Sequence, residues 1–355
     1  MTALMRRHDR RLRPVMLPHS MAARRNFMRK REELVKDRQL ALDKAKGSLC
    51  GLAIGDSFGD AARKPDFQRD YGITTDFQKG ASWSTDDTEF ALLTAYNLIR
   101  HGGSFTTEDV VELWMEHVAT QDELKRGGVS EVEACNNLRR GIRPPDSGRF
   151  NAYYMSDGAA MRSGPIGIVC AGDPERAAHL AKEDACVSHY REGIWGAQAV
   201  AVAVSLAMVD AEMDEILEAV KKTAPEDSWF RACLERAFEI VDRAEGRVAD
   251  AWMPLHDQLF STHRSTVAEA LPEVFGCLKL EHGSFKSGLI LASNFGRDAD
   301  TIGAVAGAVL GARYGAGNIP EHWLAKTRYP SGTCLAFAKG IDLFSYAEKL
   351  AELIR

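Results

Sequence analysis

Asp298-Ala299-Asp300-Thr301-Ile302-Gly303-Ala304-Val305-Ala306-Gly307-Ala308-Val309-Leu310-Gly311-Ala312-Arg313-Tyr314-Gly315 is the stretch on which the fold turns. It has an acidic start and an apolar helical body with glycines at 303, 307, 311 and 315. A glycine inside a helix costs about 1 kcal/mol relative to alanine. Four of them at i,i+4 spacing make one bare face, and a bare face implies another backbone packed very closely against it. The apolar run stops at Arg313, too short to span a membrane.

The acidic start has a counterpart more than two hundred residues earlier, Ser84-Thr85-Asp86-Asp87-Thr88. Here too a helix begins: Ser84 or Thr85 serves as N-cap, Leu92, Ala95 and Ile99 follow, and His101-Gly102-Gly103 ends it. The plain reading is that acids sit in a first turn because the helix dipole favours negative charge there. That accounts for one acid, and less well for two acids with a hydroxyl on each side. The alternative is that the fold brings both helix starts together. Thr85, Asp86, Asp87, Asp298, Asp300 and Thr301 then offer hard oxygen donors, which suit Mg²⁺ or Mn²⁺ better than zinc. Four carboxylates are enough to neutralise two divalent ions, and two ions activate a water and hold substrate oxygens.

Composition sets the frame. The chain has 355 residues, 45% hydrophobic and 27% charged, as in ordinary soluble globular proteins. No 18-residue apolar run marks a transmembrane helix, and no apolar segment with a cleavage site follows the basic N-terminus, so no secretory signal is expected. Seven cysteines, widely spaced and with no C-x-x-C pair, read as buried thiols of a cytoplasmic protein rather than a zinc site. The formal net charge is −5 but uneven: residues 1–46 carry 14 Lys/Arg against 5 Asp/Glu, leaving an acidic body behind a basic arm. Residues 1–25, with Pro14 and Pro18 and no apolar periodicity, read as a tail that does not order itself. Nucleic-acid binding is disfavoured, since the arm lacks interleaved aromatics and the body is acidic. A protein partner with an acidic or anion-binding cleft is the other reading.

Between the acid clusters the pattern is helical throughout, and strand signals are poor. Helix is expected from about Asn26 to the Gly55-Asp56 step, over 106–142, 174–185, 194–209, 211–245 and 265–281, with irregular chain at 60–82. Residues 143–164 read as a long loop with Tyr153 and Tyr154, a candidate binding loop. His189 lies in a polar break before a buried helix. The fold expected is all-α: one domain over 44–355, preceded by a basic extension over 1–43.

Taken together, the motifs resemble the ADP-ribosylglycohydrolase family, which includes dinitrogenase reductase-activating glycohydrolases and ADP-ribosylarginine hydrolases. The matching residues are the G-x-x-x-G-D-x-x-G run at 51–59, Thr85-Asp86-Asp87-Thr88, Gly158 with Met161-Arg162, Ser188-His189 before Gly193 and Gly196-Ala197, and Ser293, Gly296 and Asp298-Ala299-Asp300-Thr301. The resemblance covers roughly 44–350. It implies a compact all-α fold with a dinuclear Mg²⁺ or Mn²⁺ cleft and removal of ADP-ribose from modified side chains. The metal ligands implied are Thr85, Asp86, Asp87, Asp298, Asp300 and Thr301. Asp56, Ser156, Asp157, Gly158, Met161 and His189 are the implied contacts to ADP-ribose. Asp87 and Asp300 are the candidates for acid/base or water-orienting work at the anomeric carbon, through an oxocarbenium-like state. Two positions depart from the family pattern. Arg63 stands near the place of a usual glutamate, and Asp157 replaces the asparagine of a Gly-Asn-Gly loop. The missing glutamate favours the arginine-type hydrolases, acting on an ADP-ribosylated protein. The basic arm resembles bacterial immunity proteins of the family, whose N-terminal extension plugs a cognate ADP-ribosyltransferase toxin. A toxin-binding inhibitor with a vestigial core, and a hydrolase of another ADP-ribosylated or nucleotide-like small molecule, are the alternatives.

Overall fold

The computed structural model describes residues 21–80, 82–281 and 283–355, in which eighteen α-helices and no β-strand are formed. The all-α expectation holds. The tail reading for residues 1–20 lies outside the described residues.

Two helices form the axis. Ala299–Tyr314 carries the glycine face read from the sequence, and its partner is Arg38–Ala62. That partner has its own glycines at the same spacing: Gly47, Gly51, Gly55 and Gly59. The two helices run antiparallel in register. Gly47 faces Gly311 and Gly315, Gly51 faces Gly307, Gly55 faces Gly303, and Gly59 faces Ala299. A Cβ on Gly55 or Gly51 would overlap the facing carbonyl of Gly303 or Gly307, so only glycine permits the approach. Lys44 and Ser48 cross the seam and donate to the carbonyls of Ala312 and Ala308.

The remaining helices wrap this pair. Glu192–Ala207, almost entirely buried, packs on Ala299–Tyr314 and on Pro174–Ala185. Leu343–Glu352 and Phe285–Ser293 cover other sides of the glycine pair. The structure departs from the sequence reading at polar breaks within two of the expected helices. The 211–245 stretch is two helices, Met213–Lys221 and Trp229–Arg243, separated around Pro225 with Ser228 capping the second. The 106–142 stretch likewise divides into Thr107–His117 and Val129–Arg139. The irregular 60–82 region contains a short helix, Pro65–Tyr71, begun by its proline.

The segment read as a basic extension is partly built into the body. Met21–Lys36 is helical, Phe27 and Leu34 are buried in the core, and Arg31 pairs with Asp173 at 3.1 Å. Arg38–Ala62 runs unbroken through residues 43 and 44.

Candidate metal centre and its cavity

The antiparallel glycine pair places the C-terminal end of Arg38–Ala62 beside the N-terminal end of Ala299–Tyr314. Asp56, one residue after Gly55, then reaches the other acid cluster. Its carboxylate is fully buried and accepts from the Thr85 backbone N–H (2.9 Å), from the Thr85 hydroxyl (2.7 Å) and from both the N–H and the hydroxyl of Thr88. Thr85 is the N-cap of helix Asp86–Arg100, its hydroxyl accepting from the Asp87 N–H. Ser84 donates to Glu89 at 2.6 Å, and Glu89 in turn receives the backbone N–H groups of Thr333, Cys334 and Leu335. The two hydroxyls around the acids therefore have structural work: they lock the helix start so that Asp86 and Asp87 face a cavity.

Asp86, Asp87 and Asp300 each bring a carboxylate oxygen within 4.8 Å of the others. The two helix starts, distant in sequence, do meet. They meet at the floor of a cavity of about 450 Å³, also lined by Asp298, Thr301, Ser156, Asp157, Gly158 and Met161. Asp56 and Thr85 lie behind this floor. His189 also lies behind the wall, fully buried, with Nδ1 2.7 Å from the Ser188 hydroxyl and Nε2 2.9 Å from the hydroxyl of Ser156.

The loop that supplies Ser156, Asp157 and Gly158 is pinned by an antiparallel bridge from Ser156 to Thr266, and Asp157 N–H donates to Ser265 O at 2.8 Å. Arg162, fully buried, braces it from below through Gly158 O (3.1 Å), Asp184 (2.6 Å) and the Ser188 hydroxyl (2.9 Å).

Several wall residues gave no sequence signal. Glu131 is fully buried beside Gly128 and Gly158, where a Cβ on either would displace its carboxylate. Nothing in Ser130-Glu131-Val132-Glu133 marks Glu131 apart from its neighbour Glu133. Arg126, Arg264 and Arg297 also line the cavity. Arg126 pairs with Asp60, Arg264 with Asp298 at 3.0 Å, and Arg297 with Glu269. Tyr153 and His263 sit at the cavity as a tilted ring pair with centroids 5.6 Å apart.

The electrostatics ask for cations. Burial, then repulsion from Asp300, holds the Asp86 and Asp87 carboxyls well above the usual range. Burial, then Asp298, pushes Asp300 up to about 8, and burial raises Asp157 well above its ordinary value. Among the described residues Asp87 Oδ1 and Asp157 Oδ2 are buried without any hydrogen-bond partner. An unpartnered buried carboxylate oxygen is costly. Hard oxygen donors with open valences fit Mg²⁺ or Mn²⁺.

These shifts carry a stability prediction. A carboxyl raised in the folded state binds protons that the unfolded chain has released, so its contribution falls as pH rises from the ordinary carboxylate range through the raised value. For Asp300 that window ends at about 8. The metal-free protein should therefore lose melting temperature between about pH 4 and about pH 8. Added Mg²⁺ should raise the melting temperature most at the upper end. Calorimetry with and without chelator checks it; a chelated protein equally stable across the range would contradict it.

A family model described as ADP-ribosylglycohydrolase matches residues 37–355. ADP-ribosyl-[dinitrogen reductase] glycohydrolase of Rhodospirillum rubrum is 28% identical, covering 80% of this chain and 90% of its own length. ADP-ribosylarginine hydrolase Tri1 of Pseudomonas putida is 26% identical, covering 81% of this chain and 75% of its own. A solved ADP-ribosylglycohydrolase-related protein complex shares the fold at a TM-score of 0.62 and 22% identity, over 89% of this chain and 98% of that one. With a match that runs from the start of the first glycine helix to the last residue, and the acids of both helix starts on one cavity floor, the chain belongs to the ADP-ribosylglycohydrolase family and is a glycohydrolase.

Proposed function

We propose that this enzyme hydrolyses the N-glycosidic bond between ADP-ribose and an arginine side chain of a protein, with divalent Mg²⁺ or Mn²⁺ held by the floor acids. The observation that carries the reading is the meeting of Asp86, Asp87 and Asp300 within 4.8 Å at the base of a cavity with room for a nucleotide-sized ligand. The ligand set proposed is Asp86, Asp87, Asp298 and Asp300 with the hydroxyl of Thr301; Thr85, expected from the sequence as a further ligand, lies behind the floor with its hydroxyl bonded to Asp56 and Asp87. A bound ion supplies Lewis acidity toward water and sugar hydroxyls.

The chain's own residues supply the rest. Thr85 occupies one Asp87 oxygen at 3.1 Å and leaves the other free, so Asp87 is oriented toward the cavity to take a proton from water. The water oxygen bonds to the anomeric carbon, the carbon–nitrogen bond breaks, and the guanidine leaves with a proton. Asp300 shares the acid/base or water-orienting work. Asp157 Oδ2, buried and without a hydrogen bond among the described residues, and Glu131, whose Oε1 pairs with the buried Arg162 at 3.5 Å, line the wall with acceptor oxygens suited to the N–H groups of a guanidinium. Tyr153 and His263 offer ring faces to the adenine. Ser156, Gly158 and Met161 shape the wall that meets ADP-ribose. Asp56 and His189 act one layer back, positioning Thr85 and Ser156. The arginine preference is supported by this wall and by the name of the Pseudomonas putida relative. The test is release of ADP-ribose from an arginine-modified protein beside a serine-modified peptide and free ADP-ribosylated small molecules. Faster turnover of the arginine substrate supports the reading; preference for either other class replaces it.

The immunity role for the basic extension is a further part of the proposal. Because Phe27 and Leu34 are core residues, contact with a toxin falls to residues 1–20. Deleting 1–20 should leave hydrolysis within about two-fold, since every core and cavity residue named above lies after residue 20. Deleting 1–43 should destabilise the chain, because it removes Phe27, Leu34 and Ala41 from the core. Melting curves and turnover of both truncations check this; a 1–43 deletion as stable as the full chain would contradict it.

A further inference from the structure

The guanidinium of Arg63 stands inside the acid cluster. Its Nη1 is 3.1 Å from Asp298 Oδ1 and 2.6 Å from Asp300 Oδ1, and its Nη2 is 2.5 Å from Asp300 Oδ2. It is fixed from behind by Asp60, whose Oδ1 accepts from Nε at 3.2 Å and from Nη2 at 3.0 Å. Asp60 is itself buried and held by Lys64, Arg126 and the Trp83 indole N–H. This is a forked, charge-assisted arrangement, the geometry in which a guanidinium is most firmly placed.

The charge demand of the floor is thereby divided. Asp298 and Asp300 face Arg63, and Asp298 also faces Arg264. Asp86 and Asp87 have no ion-pair partner among the described residues, and Asp87 Oδ1 is buried without a hydrogen bond. The four negative charges of Asp86, Asp87, Asp298 and Asp300 would be balanced by the two guanidinium groups and one divalent ion. A second divalent ion would meet Arg63 at a few ångströms, in a buried setting where like charges repel strongly.

We propose that Arg63 takes the place of one cation, so that the centre binds a single divalent ion between Asp86, Asp87 and Asp300, with the guanidinium serving Asp298 and Asp300. The inference rests on the reading of the floor acids as metal ligands, and it replaces the expectation of two ions.

The experiment is a metal count on the full-length protein, saturated with Mn²⁺, freed of excess by gel filtration, and measured by elemental mass spectrometry and electron paramagnetic resonance. The wild type is expected to hold one ion per chain with the spectrum of an isolated Mn²⁺. Arg63→Ala and Arg63→Gln are expected to hold two, with an exchange-coupled spectrum, while Arg63→Lys stays at one. Two ions in the wild type, or one ion in both neutral variants, overturn the role of Arg63 and leave the metal reading standing. No bound ion in the wild type overturns both. Should a neutral variant not fold, the wild-type count and spectrum decide between one ion and two.

Discussion

Asp87→Ala and Asp300→Ala are each expected to reduce ADP-ribose release by about 10²- to 10³-fold, the scale on which loss of a charge-stabilising group at a reacting centre is felt. The two residues come from opposite ends of the chain, yet their oxygens share one floor. Asp87 is fixed by the Thr85 hydroxyl, which Asp56 fixes in turn. Replacing it removes a proposed ligand and a buried floor oxygen, Asp87 Oδ1, that has no hydrogen-bond partner among the described residues. Unfolding does not account for the loss. Asp87 is buried among Asp300, Asp56 and Asp86, which repel it. Removing one of several mutually repelling buried acids should leave the metal-free melting temperature at or above that of the wild type. The combination expected is an inactive protein that melts no earlier than its parent. Full turnover in both variants would show that the floor acids are not the catalytic centre.

The second large effect is on stability. Gly303→Val or Gly55→Val should cost at least about 3 kcal/mol, at the upper end of overpacking penalties. Each new side chain would begin inside the backbone of the facing helix, where the overlapped atom is a carbonyl that cannot rotate away. On an isolated helix, replacing glycine with a larger residue is neutral or favourable by up to about 1 kcal/mol, so the sign of the effect reports the packing. Gly317→Ala, whose Cβ would meet only Asp43 at 3.6 Å, is the control and should stay within about 0.5 kcal/mol of the wild type. The same variants should lose divalent-ion binding, because a displaced Ala299–Tyr314 carries Asp300 away from Asp86 and Asp87. Denaturant melts of the three variants check the first point and isothermal titration the second. A Gly303→Val protein as stable as the control would contradict the close helix pair.

Much of this architecture was legible in residues with a physical cost. Glycines at 303, 307 and 311 are expensive in a helix, so they had to be answered by a partner, and the partner is Arg38–Ala62. Its matching glycines at 47, 51, 55 and 59 carry the same spacing, a signal that identifies the pair once both runs are set side by side. Acids crowded at two helix starts were legible for the same reason. Other features were silent because each is locally ordinary. Glu131 lies on an unremarkable amphipathic turn and becomes special only through the glycines 128 and 158 that fold over it. Arg126, Arg264 and Arg297 look like surface charges until tertiary structure gives them Asp60, Asp298 and Glu269. His189 was conspicuous in its polar break, but its ring is spent on Ser156 and Ser188 behind the wall. Arg63 was visible as a departure from a family pattern, and only the structure shows it reaching into the acids.

Metal-dependent release of ADP-ribose from modified arginine can be measured directly. The full-length chain is incubated with an arginine-ADP-ribosylated protein, in Mg²⁺, in Mn²⁺ and in chelator, and free ADP-ribose is followed by mass spectrometry. Release is expected with either ion, lost in chelator and restored when metal is added back. Release that continues undiminished in chelator, or no release with any divalent ion, would contradict the proposed function.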